Sequence, residues 1–258
     1  MIEKTDTTSN RIYVYASRKE MGKSAGKEIE NKIVELQKKK ESIRMVFAAA
    51  PSQDEMLDYL AASSVIDWHK ITGFHLDEYI GLPGDSPQRF STYLKHRIFD
   101  KVSFKEVHLI DTGKSAEEEK KRYTSLLNQA PLDIVCLGIG ENGHIAFNDP
   151  HVADFNDTET ITDVWLDDAS RQQQVNDGCF SSMDQVPKQA ITLTVPAIMN
   201  ASFLFCVVPG KSKRKAVYNA LHGPVDPSCP ASILRTHKSC TFYFDQKAYD
   251  QGKAPDYS

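Results

Sequence analysis

The sequence predicts an α/β fold with a single doubly wound, mostly parallel sheet and helices on both faces, which is a Rossmann-like arrangement. Short apolar segments alternate with amphipathic segments from one end of the chain to the other, as expected for successive βαβ units. In a strand with one face in water, apolar and polar residues alternate. The apolar segments show no such alternation, which indicates a sheet covered on both sides. Because no repeat or linker interrupts the sequence, we expect one domain over residues 1–258.

Each predicted strand is a short run of apolar residues that is rich in β-branched or aromatic side chains, bounded by polar or turn-forming residues. The segment "RIYVYA" is the first such run. In chain order the predicted strands are Arg11–Ala16, Ile43–Ala49, Ile71–Leu76, Glu106–Ile110, Leu132–Gly138, Gln189–Val195, Ser202–Val208 and Cys240–Phe244.

The helices are predicted from apolar residues spaced three and four positions apart. In the first and longest, Ile29, Ile33 and Leu36 form one apolar face. In chain order the predicted helices are Ser24–Lys40, Asp54–Ala62, Gln88–Asp100, Ser115–Leu127 and Ser212–Leu221.

Composition and charge exclude several classes of protein. A net charge of −4 argues against nucleic-acid binding, which requires a basic surface. No apolar run is long enough to span a bilayer and the first residues contain no apolar signal region, so we expect no membrane partner and a cytoplasmic location. The five cysteines show no C-x-x-C spacing, so we expect neither disulfide bonds nor a metal site. Whether the chain forms a homo-oligomer stays open.

Two loops that follow predicted strands carry the residues of chemical interest. In a parallel sheet the ligand binds beyond the carboxyl ends of the strands, so both loops are expected at one site. The first loop, in "FHLDEYIGLP", contains Asp77 and Glu78. An Asp-Glu pair is commonly a helix cap or a solvated turn, but here it directly follows an apolar strand and precedes Gly81 and Pro83, which indicate a turn.

The second loop, "LGIGENGHIAFNDP", has two competing interpretations. Gly138, Gly140 and Gly143 match the G-x-G-x-x-G pattern of a dinucleotide-binding turn. That pattern requires a helix directly after the third glycine, whereas Pro150 follows within a few residues and would stop one. We therefore favour the alternative that the glycines allow a tight turn, which directs His144 into the site for proton transfer.

The segments that contain these residues resemble a known protein family. The segments "FHLDEYIGLP", "LGIGENGHIAFNDP", "DQVPKQAITLTV" and "CPASILRTH" resemble, in order and spacing, those of glucosamine-6-phosphate deaminases, and more distantly 6-phosphogluconolactonases. The resemblance extends from about Ile43 to Phe244 and implies a doubly wound parallel-sheet domain. It also implies conversion of an amino sugar phosphate and water to the ketose phosphate and ammonia, without a metal or another cofactor.

The resemblance assigns catalytic roles to residues in both loops. His144 matches the family's ring-opening histidine, and Asp77 matches the base that moves a proton between C2 and C1. Asn142 and Asp149 match the supports of the histidine, although many members have aspartate and glutamate at these positions. An amide can orient an imidazole but cannot stabilise its positive charge, and the shorter Asp149 is expected to reach the ring less directly. The residues expected to bind substrate are Ser52, Glu78, Gly143, Arg171 and Lys213.

The implied phosphate pocket departs most from the family. The segment "AAAPSQDE" replaces a Gly- and Thr-rich turn, so Pro51 has no N–H to donate, and Asp54 and Glu55 would repel a dianion unless they face away. Lys213 matches the family's phosphate-binding lysine.

The family's phosphate-binding arginine has no certain counterpart. It aligns with Gly178 without a gap, or with Arg171 if the chain carries an insertion, and Arg235 is a further candidate cation. We therefore expect weak discrimination between phosphorylated and free amino sugars. The alternatives to deamination are a hydrolase of the 6-phosphogluconolactonase type and a sugar-binding protein without catalysis.

Overall fold

The computed structural model describes residues 1–6 and 10–249 and confirms the predicted α/β fold class. The strands are β1 Glu3–Asp6, β2 Asn10–Tyr15, β3 Ile43–Phe47, β4 Ile71–His75, β5 Asp77–Tyr79, β6 Glu106–Val107, β7 Ile134–Leu137, β8 Ile161–Trp165, β9 Gln189–Leu193, β10 Phe203–Val208 and β11 Cys240–Asp245. The helices are α1 Arg18–Gln37, α2 Asp54–Ala61, α3 Phe90–Leu94, α4 Ala116–Leu127, α5 Asp168–Asn176, α6 Val195–Met199 and α7 Arg214–His222.

The main sheet has eight strands in the order β1-β2-β11-β10-β7-β3-β4-β6. β1 is antiparallel to β2, and every other neighbouring pair is parallel. After β3 the chain builds the sheet towards β6, and from β7 onwards it builds towards the opposite side. β3 and β7 therefore form the switch point, where a crevice opens beyond the carboxyl ends of the strands.

The sheet is covered by apolar side chains on both faces, as the continuous apolar runs predicted. Met45 and Phe47 of β3 lie in one buried cluster with the apolar face of α1, including Ile29. Val46, between them, lies in a second cluster with Tyr123 of α4. Because successive side chains of a strand point to opposite faces, the two clusters are separate cores on the two sides of the sheet.

A second, three-stranded antiparallel sheet, β5-β9-β8, was not predicted. The segment Gln189–Val195 was expected in the main sheet, but its strand β9 belongs to this small sheet instead. Asp77 and Glu78, expected in a turn, begin β5 directly after β4. Strand type is readable from local composition, whereas the choice between two sheets depends on distant pairing partners.

Local capping shifts some boundaries. The first helix begins at Arg18 rather than at Ser24, because the Ser17 hydroxyl accepts a hydrogen bond from the backbone N–H of Glu20. The predicted helix Gln88–Asp100 is shorter, comprising α3 and a wider helical turn at Lys95–Phe99. Among the described residues no helix combines the length and apolar composition needed to cross a membrane.

Candidate active site

A cleft of about 320 Å³ opens at the switch point of the main sheet. Both loops singled out from the sequence reach it, since Asp77 and His144 are among its lining residues. β9 ties these loops together: Thr192 pairs in register with Asp77, and its hydroxyl accepts a hydrogen bond from the Phe147 N–H at 3.0 Å. The cleft is also lined by Arg18, Ser52, Phe90, Gln173, Gln174, Asp177, Ser212, Lys213, Asp245 and Lys247.

Asp77 is a buried carboxylate that faces the cleft. Its side chain is only 6% exposed and makes no hydrogen bond to another described residue. Burial, and secondarily the charge of Glu78, raise the pKa of Asp77 well above its ordinary value. A carboxylate with a raised pKa is a stronger base, which suits proton abstraction near neutral pH.

The Asn142 amide determines which nitrogen of His144 carries the proton. Its Nδ2 atom donates to the carboxylates of Asp149 at 3.0 Å and Asp167 at 2.9 Å. The Oδ1 atom therefore faces His144, where it lies 3.0 Å from the backbone N and 2.8 Å from Nδ1. Because an amide oxygen only accepts, Nδ1 carries the hydrogen and Nε2 keeps its lone pair. The amide thus retains the orienting role that a carboxylate would have.

Asp149 and Ser170 complete the surroundings of the imidazole. Asp149 Oδ1 lies 3.2 Å from His144 Nδ1, and the Ser170 hydroxyl donates to Asp149 while lying 2.8 Å from the same nitrogen. Burial opposes ionisation of Asp149, but His144, Ser170 and Asn142 together lower its pKa to about 2. The sequence did not point to Ser170, because this residue belongs to no motif and lies 26 positions from His144. At 3.2 Å from Nδ1, Asp149 reaches the ring directly, contrary to the expectation from its shorter side chain, and Ser170 contacts both side chains.

Gly140 and Gly143 of the second loop allow His144 to take its position. A Cβ on Gly140 would lie 2.1–2.3 Å from three ring atoms of His144, so only glycine leaves room for the imidazole. Gly143 has φ of +90° and contacts Cys229, so a side chain there would be strained. Ile145 pairs with Asn148 in an isolated bridge, and no helix begins directly after Gly143, which removes the basis for the dinucleotide-binding alternative.

Lys213 lies in the cleft without a hydrogen-bond partner in the described part of the chain. It is 5% exposed, and burial lowers its pKa, whereas the charges of Asp177 and Glu141 raise it. A buried ammonium group without a partner is costly, and an anionic ligand would stabilise it. Ser52 also lines the cleft, and its hydroxyl accepts a hydrogen bond from Gln53 Nε2 at 3.0 Å.

Three predicted substrate-binding residues do not line the cleft. The Glu78 carboxylate accepts the N–H groups of Phe90 and Ser91 at the start of α3, at 3.0 and 2.9 Å. Arg171 donates to the carbonyl oxygens of Met183 and Val186. Gly143 acts through its backbone, since its carbonyl oxygen accepts the N–H of Ala231. The polar groups of these three residues are hydrogen-bonded within the protein, so the structure does not support their predicted contact with substrate.

Arg235, the remaining candidate cation, and the two acids of the altered turn also have hydrogen-bond or ion-pair partners within the protein. Arg235 donates to the carbonyl oxygens of Leu221 and Gly223. Asp54 lies 2.7 Å from Arg97, and Glu55 lies 2.7 Å from Arg18. The acids therefore do not leave uncompensated negative charge beside the cleft.

One group of side chains has the spacing of metal ligands. Asp149, His151 and Asp167 offer ligand atoms within 4.8 Å of one another. The Asn142 amide donates to both carboxylates, and His151 Nε2 lies 3.0 Å from the Trp165 carbonyl oxygen. These hydrogen bonds account for the arrangement without an ion, and the expectation of no metal stays a prediction.

Known proteins resemble this chain over most of its length. The family model described as glucosamine-6-phosphate isomerases/6-phosphogluconolactonase matches residues 16–243. The glucosamine-6-phosphate deaminase of Listeria innocua is 35% identical over 201 residues, 78% of this chain and 84% of the relative. That of Halalkalibacterium halodurans is 36% identical over 185 residues, 70% of this chain and 73% of the relative.

Solved structures resemble the whole fold. A monomeric glucosamine-6-phosphate deaminase superposes with a TM-score of 0.82 and 28% identity, covering 92% of this chain and 98% of the other. A 6-phosphogluconolactonase from Thermotoga maritima has a TM-score of 0.75 at 21% identity, covering 92% and 99% of the two chains. At that lower identity the likeness concerns the fold alone.

Proposed function

The chain belongs to the family of glucosamine-6-phosphate isomerases and 6-phosphogluconolactonases, and from this premise we propose that it deaminates glucosamine 6-phosphate or a close relative. The products are the ketose phosphate and ammonia. The observation that carries the proposal is that a buried base, Asp77, and a histidine of defined tautomer, His144, face one cleft that also holds the unpartnered ammonium group of Lys213.

The first chemical step opens the sugar ring. The lone pair on His144 Nε2 accepts the proton of the C1 hydroxyl, and the same proton is delivered to the ring oxygen as the bond between C1 and that oxygen breaks. Asn142 holds the tautomer needed for this step, and Asp149 stabilises the imidazolium ion that forms transiently. The result is an open-chain aldehyde with the amine on C2.

The second step moves a proton from C2 to C1. Asp77 accepts the C2 proton while the aldehyde oxygen takes up a proton from the C2 ammonium group, which gives an enolamine. Asp77 then returns its proton to C1, which leaves a protonated imine at C2. Water then adds to the imine, and ammonia leaves with the ketone in place. The sequence of isomerisation and imine hydrolysis is redox-neutral overall, so the proposal requires no redox cofactor, and it includes no metal.

Lys213 and Ser52 provide contacts for the phosphate group in this proposal. Both line the cleft, and an ammonium group is a strong donor to phosphate oxygens. All five cysteines are unpaired thiols, which supports the further proposal of a cytoplasmic location, where thiols stay reduced.

Ammonia release from a panel of sugars tests the function. We expect turnover of glucosamine 6-phosphate and slower turnover of free glucosamine, because Lys213 and Ser52 line the cleft as contacts for a phosphate despite the altered turn. Hydrolysis of 6-phosphogluconolactone with no ammonia from any amino sugar would establish the lactonase alternative. Binding of glucosamine 6-phosphate without any reaction would establish a sugar-binding protein instead.

A further inference from the structure

Arg18 is a cation in the cleft to which neither the family motifs nor the sequence reading points. It is the first residue of α1, directly after Ser17, whose side chain caps the helix. It lines the same cleft as Asp77, His144 and Lys213. We propose that Arg18, together with Lys213, binds the terminal anionic group of the substrate.

The guanidinium group of Arg18 is held in a defined orientation. Its Nε atom donates to both carboxylate oxygens of Glu55, at 2.7 and 2.9 Å, and Nη2 donates to the carbonyl oxygen of Pro51. Nη1 has no hydrogen-bond partner among the described residues. An arginine whose other donors are already anchored loses little conformational freedom when it binds an anion.

The anchoring contacts join Arg18 to the turn that forms one wall of the cleft. Pro51 and Ser52 lie in this turn, and both line the cleft. Pro51 has no N–H to offer an anion. Arg18 therefore supplies a donor at the place where the backbone of this turn lacks one.

The charge of the surroundings permits an anion at this position. Glu55 pairs with Arg18 at 2.7 Å, and Asp54 pairs with Arg97 at 2.7 Å and lies 4.0 Å from Arg18 Nη2, so both acids have cationic partners. Asp245 also lines the cleft, but its Oδ1 atom accepts the N–H groups of Gly210 and Ala248 at 3.0 and 2.8 Å.

Asp177 is the remaining acid beside the two cations. It lines the cleft with Lys213 and Lys247, and its charge helps to keep the Lys213 ammonium protonated. Among the described arginines, Arg18 alone lines the cleft. Arg97, Arg171 and Arg235 donate to groups elsewhere. The part of the chain that the structure describes thus offers one arginine, with its Nη1 donor free, for contact with an oxyanion.

Binding of inorganic phosphate, measured by titration calorimetry, tests this inference directly. Loss of one charge-assisted hydrogen bond at a part-exposed site should raise the dissociation constant about tenfold in Arg18→Gln. Arg18→Lys should give a smaller rise, since a lysine keeps the charge but not the planar guanidinium group that Glu55 and Pro51 hold in place. Arg11→Gln, an exposed arginine on β2 outside the cleft, is the matched control and should bind phosphate normally.

The kinetic test uses glucosamine 6-phosphate, and this part rests on the proposed function. Arg18→Gln should raise KM about tenfold and leave kcat within about twofold, because the phosphate is bonded to C6, whereas the bonds that change are at C1 and C2. If Arg18→Gln does not fold, the result for Arg18→Lys decides alone. Unchanged phosphate binding in every folded Arg18 variant overturns the inference. A wild-type protein that binds no phosphate overturns it as well. Phosphate binding that depends on Arg18 without any ammonia release would instead reject the proposed function and retain the anion site.

Discussion

A Cβ placed on Gly140 would lie 2.1 Å from Cε1 of His144, which means that the imidazole occupies the space of the missing side chain. We expect Gly140→Ala to displace the ring and lower kcat by about two orders of magnitude, the usual contribution of a positioned acid or base. Steady-state ammonia release measures the effect. Gly84→Ala is the control, since its nearest neighbour would be 3.9 Å away, and equal losses in both variants would contradict the packing argument.

Replacement of the carboxylate base should abolish turnover without affecting binding. Asp77→Asn keeps the shape of the side chain but cannot accept the C2 proton, so kcat should fall by at least about two orders of magnitude. The dissociation constant of an open-chain substrate analogue should change by less than about threefold. Near wild-type turnover in this variant would show that another residue is the base.

The same substitution should increase stability in a pH-dependent way. Because the folded pKa of Asp77 is raised above the ordinary 3.8, the folded chain binds this proton more tightly than the unfolded chain does. Stability therefore falls as pH rises from about 4 through the folded pKa, and Asn does not pay this cost. Thermal unfolding should show a higher Tm for Asp77→Asn than for the wild type at pH 7, and little difference at pH 4.

The control for this stability effect is Asp85→Asn, which changes an exposed aspartate in the loop after β5. Its Tm difference from the wild type should show no comparable trend with pH. A constant advantage of Asp77→Asn at all pH values would indicate a packing effect rather than a shifted ionisation.

Ser170 should matter for rate more than for affinity, because it contacts His144 and Asp149 rather than the cleft. Ser170→Ala removes the hydroxyl between the two side chains, so we expect kcat to fall about tenfold with KM within about twofold. Ser232→Ala provides a matched control, since Ser232 is equally buried but bonds Asp226 outside the cleft. A loss confined to KM, or shared by the control, would rule out a positioning role.

Asp149 should stabilise the fold above mildly acidic pH. Its folded pKa of about 2 lies below the ordinary 3.8, so its stabilising contribution is complete above about pH 4 and is lost as pH falls towards 2. Urea unfolding across this range should show that Asp149→Asn is less stable than the wild type at neutral pH and that the difference narrows in acid. A difference independent of pH would mean that the lost contacts do not depend on the charge.

Much of the fold follows from local sequence. The apolar runs at Ile43–Ala49 and Leu132–Gly138 predicted strands buried on both faces, and the structure places them side by side as β3 and β7. The two loops with Asp77 and His144 were expected at one site, because the carboxyl ends of parallel strands meet at one edge. The glycines around His144 were expected to allow a tight turn, and Gly143 has the positive φ of such a turn, whereas the structure adds that Gly140 leaves room for the imidazole ring.

The tertiary structure decided which polar groups face the cleft. Arg171 and Glu78 carry suitable chemistry, yet nearby backbone groups satisfy them. Arg18 and Ser170 belong to no motif, yet α1 and α5 bring them to the cleft and to His144. Composition and periodicity specify which face of an element is buried, because burial of apolar surface depends on local pattern. The partner of a polar side chain depends on residues distant in sequence, so only the folded chain determines it.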